Sequence, residues 1–386
     1  MAWMPENTEV PGTHPPYVVL IDETDVEQGL KEFKALGLDG DAVSSDNFPL
    51  PKARKQLEQA GDDIHNGRGF AVIRGVSTAK YTVEDNVTIF LGIASYIGSQ
   101  RGVQDRRGNM LTHVTDSKAW SSPHELRHGI HTNTGLAWHT DMGADILALH
   151  VRALAQKGGA TFVASSWTIY RELMMSHPEI LTVLSKAEWP IQISGNPPRH
   201  ILAPLLQVFE DKIYISVDPG RLGVHPVTAR SGLGLSIPDL TPLQHEALAV
   251  LSRLASKFRL CLDIIPGDMV FINNWSILHA RDSYIDPEDG PRRHIVRLWC
   301  RNPTLGWDIP DSMRVPWEAA FGPGGNGHPP VIPGPKGDLR GGVEKKYQVV
   351  PTLEYKAPKF TAGSAAFILE DSDDVNGDGE DTAAGA

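Results

Sequence analysis

The chain has 386 residues, 41% hydrophobic and 22% charged, a composition that excludes disorder of the whole and leaves room for one large domain or two. No run approaches the roughly 18 consecutive apolar residues of a membrane span, and the opening Met1-Ala-Trp-Met-Pro-Glu-Asn lacks the basic-then-apolar layout of a signal peptide, so a cytoplasmic protein with no membrane partner is expected. The net charge of -11 is concentrated in the tail: Glu370, Asp371, Asp373, Asp374, Asp378, Glu380 and Asp381 carry seven of those charges, and with no Lys/Arg run in the nearly neutral remainder no nucleic-acid partner is expected.

Residues 1–50 are rich in Pro, Gly, Asp and Thr, with one short helical pattern from Asp25 to Lys34, and read as an arm or cap. Gly69-Phe-Ala-Val-Ile-Arg-Gly75 predicts a short buried strand, and Val83 to Gly98 has helical apolar spacing. Strands are expected over Ile146–Arg152, Thr161–Ala164, Lys212–Val217, Met269–Asn273 and His294–Cys300. A helix from Trp167 to Met175 should end at His177-Pro178. Thr241-Pro-Leu-Gln244 combines a capping hydroxyl, proline at the first helical position and Gln at the third, so a helix starts there. Cys261 and Cys300 both sit in apolar runs and read as small hydrophobes, which excludes a disulfide scaffold. Many short strands with few helices predict an α+β, mainly β chain with a closed or sandwiched antiparallel sheet. The core domain is expected over 51–320, followed by an extended segment at 321–369 and a disordered acidic tail at 370–386.

Chemistry is suggested first by His139-Thr-Asp141. On an extended chain, residues two apart share a face, so imidazole and carboxylate can converge on one ion. With 15 His and 47 acidic residues, roughly two such matches are expected by chance, and the polar-turn reading stays open on this motif alone. The second match, His177-Pro-Glu179, falls at a helix end and reads as structural. Arg293, Ile295, Arg297 and Trp299 share one face of their strand, the two guanidiniums about 13 Å apart at roughly 3.3 Å per residue. If that face is interior, each cation needs an anion. His150 reads as a satisfied core residue, His225 as a loop residue and His294 as pointing away from Arg293, while Arg292 and Arg301 read as solvated.

Taken together, His139-x-Asp141, Gly158-Gly-x-Thr161, Asn274-x4-His279 and Arg292-Arg-x3-Arg297 resemble the TauD/TfdA-type oxygenases that depend on iron(II) and 2-oxoglutarate, over about residues 60–310. The resemblance implies a double-stranded β-helix, or jelly roll, with flanking helices. It implies Fe(II) held by His139, Asp141 and His279, and the far carboxylate of 2-oxoglutarate held by Arg293 with the Thr161 hydroxyl. Arg297 would lie near the co-substrate or grip an acidic group of the substrate. The implied reaction consumes O2, releases succinate and CO2, and hydroxylates a small molecule, with desaturation or ring closure as variants.

Elementary chemistry agrees with those assignments. Two imidazoles and one carboxylate leave three cis positions on an octahedral ion, enough for a chelating 2-oxoacid and dioxygen. The planar fork of arginine suits a carboxylate and keeps its proton. His131, Asn133 and Trp138 are candidates for the substrate side, and the substrate is expected to be an amino acid or other carboxylate. Taurine enzymes carry Asn four residues before the first iron-binding His; here that position is Gly135, which does not support a sulfonate. A zinc-dependent hydrolase on the same three residues and a non-catalytic jelly-roll binding module are the alternatives, and a homo-oligomeric state stays open.

Overall fold

A computed structural model describes residues 14–104, 109–116, 129–192, 200–223 and 237–322. Strand Val18–Leu20 (β1) leads into helix Glu23–Ala35 (α1), whose N-cap Asp22 accepts from Thr24 N. Helix Arg54–Asn66 (α2) precedes strand Phe70–Arg74 (β2), and helix Val83–Ile97 (α3), capped by Thr82, precedes Gln100–Arg101 (β3) and Leu111–Val114 (β4). Leu136–His139 (β5), Ile146–Ala153 (β6), Lys157–Gly158 (β7) and Thr161–Ser165 (β8) come next. Helix Ser166–Ser176 (α4) closes at His177, and Pro178, with no N–H to satisfy, opens helix Pro178–Ser185 (α5).

Two antiparallel pairs follow, Trp189–Gln192 (β9) with His200–Ala203 (β10) and Leu206–Phe209 (β11) with Lys212–Ile215 (β12). Helix Pro242–Lys257 (α6) starts with the expected reciprocal capping box between Thr241 and Gln244. The chain continues through Leu260–Cys261 (β13), Met269–Asn273 (β14), Ile277–Arg281 (β15), Tyr284–Ile285 (β16) and His294–Arg301 (β17) to helix Asp311–Phe321 (α7).

The larger sheet runs β1-β2-β14-β6-β17-β3, with β4 also on β17; only the β1–β2 pairing is parallel. The smaller runs β13-β8-β15-β5, antiparallel throughout. Val72, Leu147, Val151, Val270, Ile295 and Trp299 of the large sheet share one apolar core with Val163, Leu260 and Ile277 of the small one. On the other side of the large sheet Phe271, Ala148, Val296 and Leu298 pack with Leu57, Phe90 and Ile93 of α2 and α3. Phe162, Ala164 and Leu278 of the small sheet pack outward against Ile169, Leu184 and Leu251 of α4, α5 and α6. The molecule is thus helices, sheet, sheet, helices. Period-two alternation on β17 sends Val296 and Leu298 to the helices and keeps Ile295 and Arg297 between the sheets.

Several expectations are corrected. Seven α-helices occur among the described residues, and helical residues outnumber strand residues, so "mainly β" with few helices does not hold. The segment read as an arm adds β1 to the large sheet and buries Val26, Phe33 and Phe48 in the helix-side core. His150 is fully buried, but neither ring nitrogen has a hydrogen-bond partner among the described residues. Arg301 is not solvated: it pairs with the buried Asp145 carboxylate. Cys300 is buried as expected, whereas Cys261 is exposed. His225, the segment beyond residue 322 and the acidic tail lie outside the described residues.

Candidate metal centre

β5 ends at His139, and two interactions fix the turn that follows. Thr140 N donates to Val217 O at 2.7 Å while Val217 N donates to Thr140 Oγ1 at 2.9 Å. Asn274 then holds the next residue from both sides, its Oδ1 accepting from Asp141 N at 2.8 Å and its Nδ2 donating to Asp141 O at 2.6 Å and Ala144 O at 2.8 Å. His279, in the middle of β15, stands opposite His139 in the strand register, with ring centroids 4.1 Å apart.

Nε2 of His139 lies 3.8 Å and Nε2 of His279 lies 3.7 Å from Asp141 Oδ1. Metal–ligand bonds of about 2.1 Å let two donors on one ion stand up to about 4.2 Å apart, so both distances fit a shared ion. Among the described residues these three form the group able to hold a metal.

The remaining atoms are arranged to support that donor set. His139 Nδ1 donates to Ala137 O at 2.7 Å, which leaves the lone pair on Nε2. Asp141 Oδ2 accepts from Arg297 Nη1 at 2.9 Å and Trp299 Nε1 at 2.8 Å, so Oδ1 is the oxygen left facing the imidazoles. Burial alone would raise the Asp141 carboxyl, but the Arg297 guanidinium, the two neighbouring imidazoles and the Trp299 bond outweigh it and hold the pKa down to about 2. Burial, then the His139 ring, push His279 down to about 3, so it is a neutral donor at pH 7.

A cavity between the sheets is lined by His139, Asp141, His279, Thr161, Arg293 and Arg297, with Leu147, Val151, Val270 and Ile295 among its apolar walls. Arg293 is 3% exposed, and its Nε and Nη1 have no partner among the described residues. Burial, then the neighbouring Arg281 charge, push its guanidinium down to about 10. Such a group calls for an anion in the cavity. An imidazole and carboxylate donor set together with a buried guanidinium that has two unpartnered nitrogens among the described residues fits a divalent ion and a dicarboxylate in one space.

Not every candidate enters that cavity. Trp138, adjacent to His139 on β5, points to the opposite face by strand alternation; it packs in the α4–α6 core and donates from Nε1 to Ser256 Oγ at 2.9 Å. Asn133 reaches away to Tyr284, its Nδ2 donating to Tyr284 O at 3.2 Å while its own carbonyl accepts from Tyr284 N at 3.0 Å. His131 is fully buried beside Ile130, which lines the cavity in its place.

Four residues received no role from the sequence: Asn274, Trp299, Gln104 and Arg281. The first two lay in motifs already singled out. Gln104, whose Oε1 accepts from Arg297 Nε at 2.8 Å, carried no signal, because 193 residues separate the partners. Arg281 shares a strand face with His279, and that spacing is its local signal.

The model of the family described as "Taurine catabolism dioxygenase TauD, TfdA family" matches residues 32–299. The chain belongs to this family. It is 34% identical over 317 residues, 79% of this chain and 80% of the relative, to the taurine hydroxylase-like protein SAT17 of Stachybotrys chartarum. Among solved structures, an asparagine oxygenase in complex with Fe(II), 3-hydroxyasparagine and succinate superposes with a TM-score of 0.55 at 16% identity, covering 75% of this chain and 98% of that one. The non-haem iron oxygenase OrfP, in complex with Fe, succinate and (3S)-hydroxy-L-Arg, superposes with a TM-score of 0.54 at 16% identity over 75% and 94% of the two chains. This TauD/TfdA protein is a 2-oxoglutarate-dependent, non-haem iron dioxygenase. None of its described helices is long and apolar enough to cross a membrane.

Proposed function

We propose that this chain hydroxylates a small amino-acid-like or other carboxylate-bearing molecule, on a jelly-roll core formed by the two sheets. In this reading His139, Asp141 and His279 hold Fe(II), which supplies the activation of O2 when bound. Arg293 and Thr161 hold the far carboxylate of 2-oxoglutarate. The observation that carries the reading is one cavity lined both by three convergent donors and by a buried guanidinium whose Nε and Nη1 have no partner among the described residues.

The chain's own residues do four things. Arg297 and Trp299 occupy Asp141 Oδ2 and present Oδ1 to the ion. Burial keeps His279 neutral. Leu147, Val151 and Ile295 exclude water around the reacting atoms. Arg297 keeps Nη2 without a partner among the described residues, free for an acidic group of the substrate.

An amino-acid substrate is supported by the fold shared with the asparagine oxygenase and OrfP, and Gly135 speaks against taurine. The zinc-hydrolase alternative needs a general base, and the described cavity lining holds no carboxylate besides Asp141. The test is anaerobic addition of Fe(II) and then 2-oxoglutarate, read by a weak visible charge-transfer band, followed by succinate release over a panel of amino acids and other small carboxylates. A band with substrate-stimulated succinate is expected; metal-dependent turnover without succinate would overturn the proposal.

A further inference from the structure

Arg281 lies two residues beyond His279 on β15, so it faces the same inter-sheet cavity, and in the strand register it is directly opposite Thr161. It is 6% exposed. One nitrogen, Nη2, holds the loop before β5, donating to Thr132 O at 3.0 Å and to Thr134 O. Nε and Nη1 have no hydrogen-bond partner among the described residues. The same two atoms are unpaired on Arg293, and both guanidiniums stand over the Tyr284 ring, at 5.0 and 5.2 Å from its centroid. The Tyr284 hydroxyl is buried and has no partner among the described residues either. The Asp116 charge acts on Arg281 and the Asp286 charge on Arg293, neither as a hydrogen-bond partner of Nε or Nη1 among the described residues.

Two buried like charges beside one ring are unfavourable unless an anion joins them. An ionised carboxylate has about four acceptor positions, and one arginine fork fills two. The residue opposite Arg281 is the hydroxyl already assigned to that carboxylate.

We propose that Arg281 is a second cationic binding residue for the far carboxylate of 2-oxoglutarate, acting with Arg293 and Thr161. The inference rests on the 2-oxoglutarate reading above and adds a residue to it.

The test uses the full chain loaded anaerobically with Fe(II) and two probes: 2-oxoglutarate, and 2-oxopentanoate, which keeps the chelating head and replaces the far carboxylate by a methyl. Affinities are read from the charge-transfer band, with iron content measured in parallel. Arg281→Gln should weaken 2-oxoglutarate by about tenfold to hundredfold, the range of a hydrogen bond to a charged group. It should leave 2-oxopentanoate and iron binding unchanged. Arg281→Lys, which keeps the charge and guards against a misfolded Gln variant, should lose less and with the same selectivity. Equal loss for both acids would reduce Arg281 to a support of the 129–134 loop, and no loss in either variant would also overturn the proposal. Wild type that binds neither acid would instead sink the underlying 2-oxoglutarate reading.

Discussion

Asp141 divides its work between two oxygens: Oδ2 is tied to Arg297 and Trp299, and Oδ1 is thereby aimed at the two imidazoles. Groups that orient a ligand in this way are typically worth about 10- to 100-fold in metal affinity. Trp299→Phe keeps the aromatic packing between the sheets and removes only the N–H. It should weaken Fe(II) binding by about tenfold in a chelator competition; an unchanged affinity would mean that Arg297 alone holds the carboxylate. A second residue-scale prediction concerns His150. It is buried on the helix side of the large sheet, near the Phe90 ring, the His113–His294 pair and Arg152. Burial, then Arg152, push it down to about 3, and burial, then His113, push His294 well below the usual value. A lowered folded pKa means that the native state binds fewer protons, so the stability is fully present above about pH 6.5 and is lost as pH falls from there toward 3. For His150 the slope is about 1.4 kcal/mol per pH unit in that window. Urea midpoints should therefore drop between pH 7 and 5.5, and His150→Leu should flatten the drop; an equally steep fall in the variant would remove His150 from the account.

At the scale of elements, what was legible in the sequence were the periodic features. The strand at β2, the helix α3, the Thr241 cap and the two-faced β17 follow from local spacing, and the structure has each of them within a residue or two. Alternation also decides what failed. Trp138 is next to His139, and adjacency in a strand means opposite faces, so proximity in sequence placed it on the wrong side of the small sheet. Trp138→Ala should accordingly destabilise the fold by about 3–5 kcal/mol, as for other large-to-small changes in a core, while leaving the order of preference among substrates unchanged. Denaturation and a competition assay with two substrates check this; an altered preference would return Trp138 to the site. Partners such as Gln104 and Arg297 were not legible, because nothing local in either segment specifies the other. The helices outside both sheets were undercounted for a related reason. Their apolar stripes only make sense against sheet faces that the sequence does not display.

At the scale of the whole molecule, the candidate ligands join parts of the chain that fold far apart in sequence. His139 closes β5 at the edge of the small sheet, Asp141 is gripped by Trp299 and Arg297 of the large sheet, and His279 comes from β15, 138 residues after Asp141. An ion bound there ties the two sheets together, and since the unfolded chain cannot assemble this set, its binding energy adds to folding stability. Linkage sets the size: free metal at 100 times its dissociation constant stabilises by about 2.7 kcal/mol. Without oxygen, Fe(II) should raise the thermal midpoint of the wild type in a concentration-dependent way, and 2-oxoglutarate should raise it further only when the metal is present. His279→Ala should abolish both increments. Its metal-free midpoint should fall only modestly, because the imidazole's Nδ1 has no partner to lose among the described residues. Asp141→Ala should behave differently. It strands the buried Arg297 guanidinium next to Gln104, and breaking a buried pair from one side costs about 3–5 kcal/mol. The metal-free midpoint should drop sharply in that variant and recover in part when Arg297→Met is added. Two variants that lose the metal increment alike but differ in metal-free stability would separate coordination from support. If Asp141→Ala without metal were as stable as His279→Ala, the Arg297 pairing would not be the element that joins carboxylate to sheet.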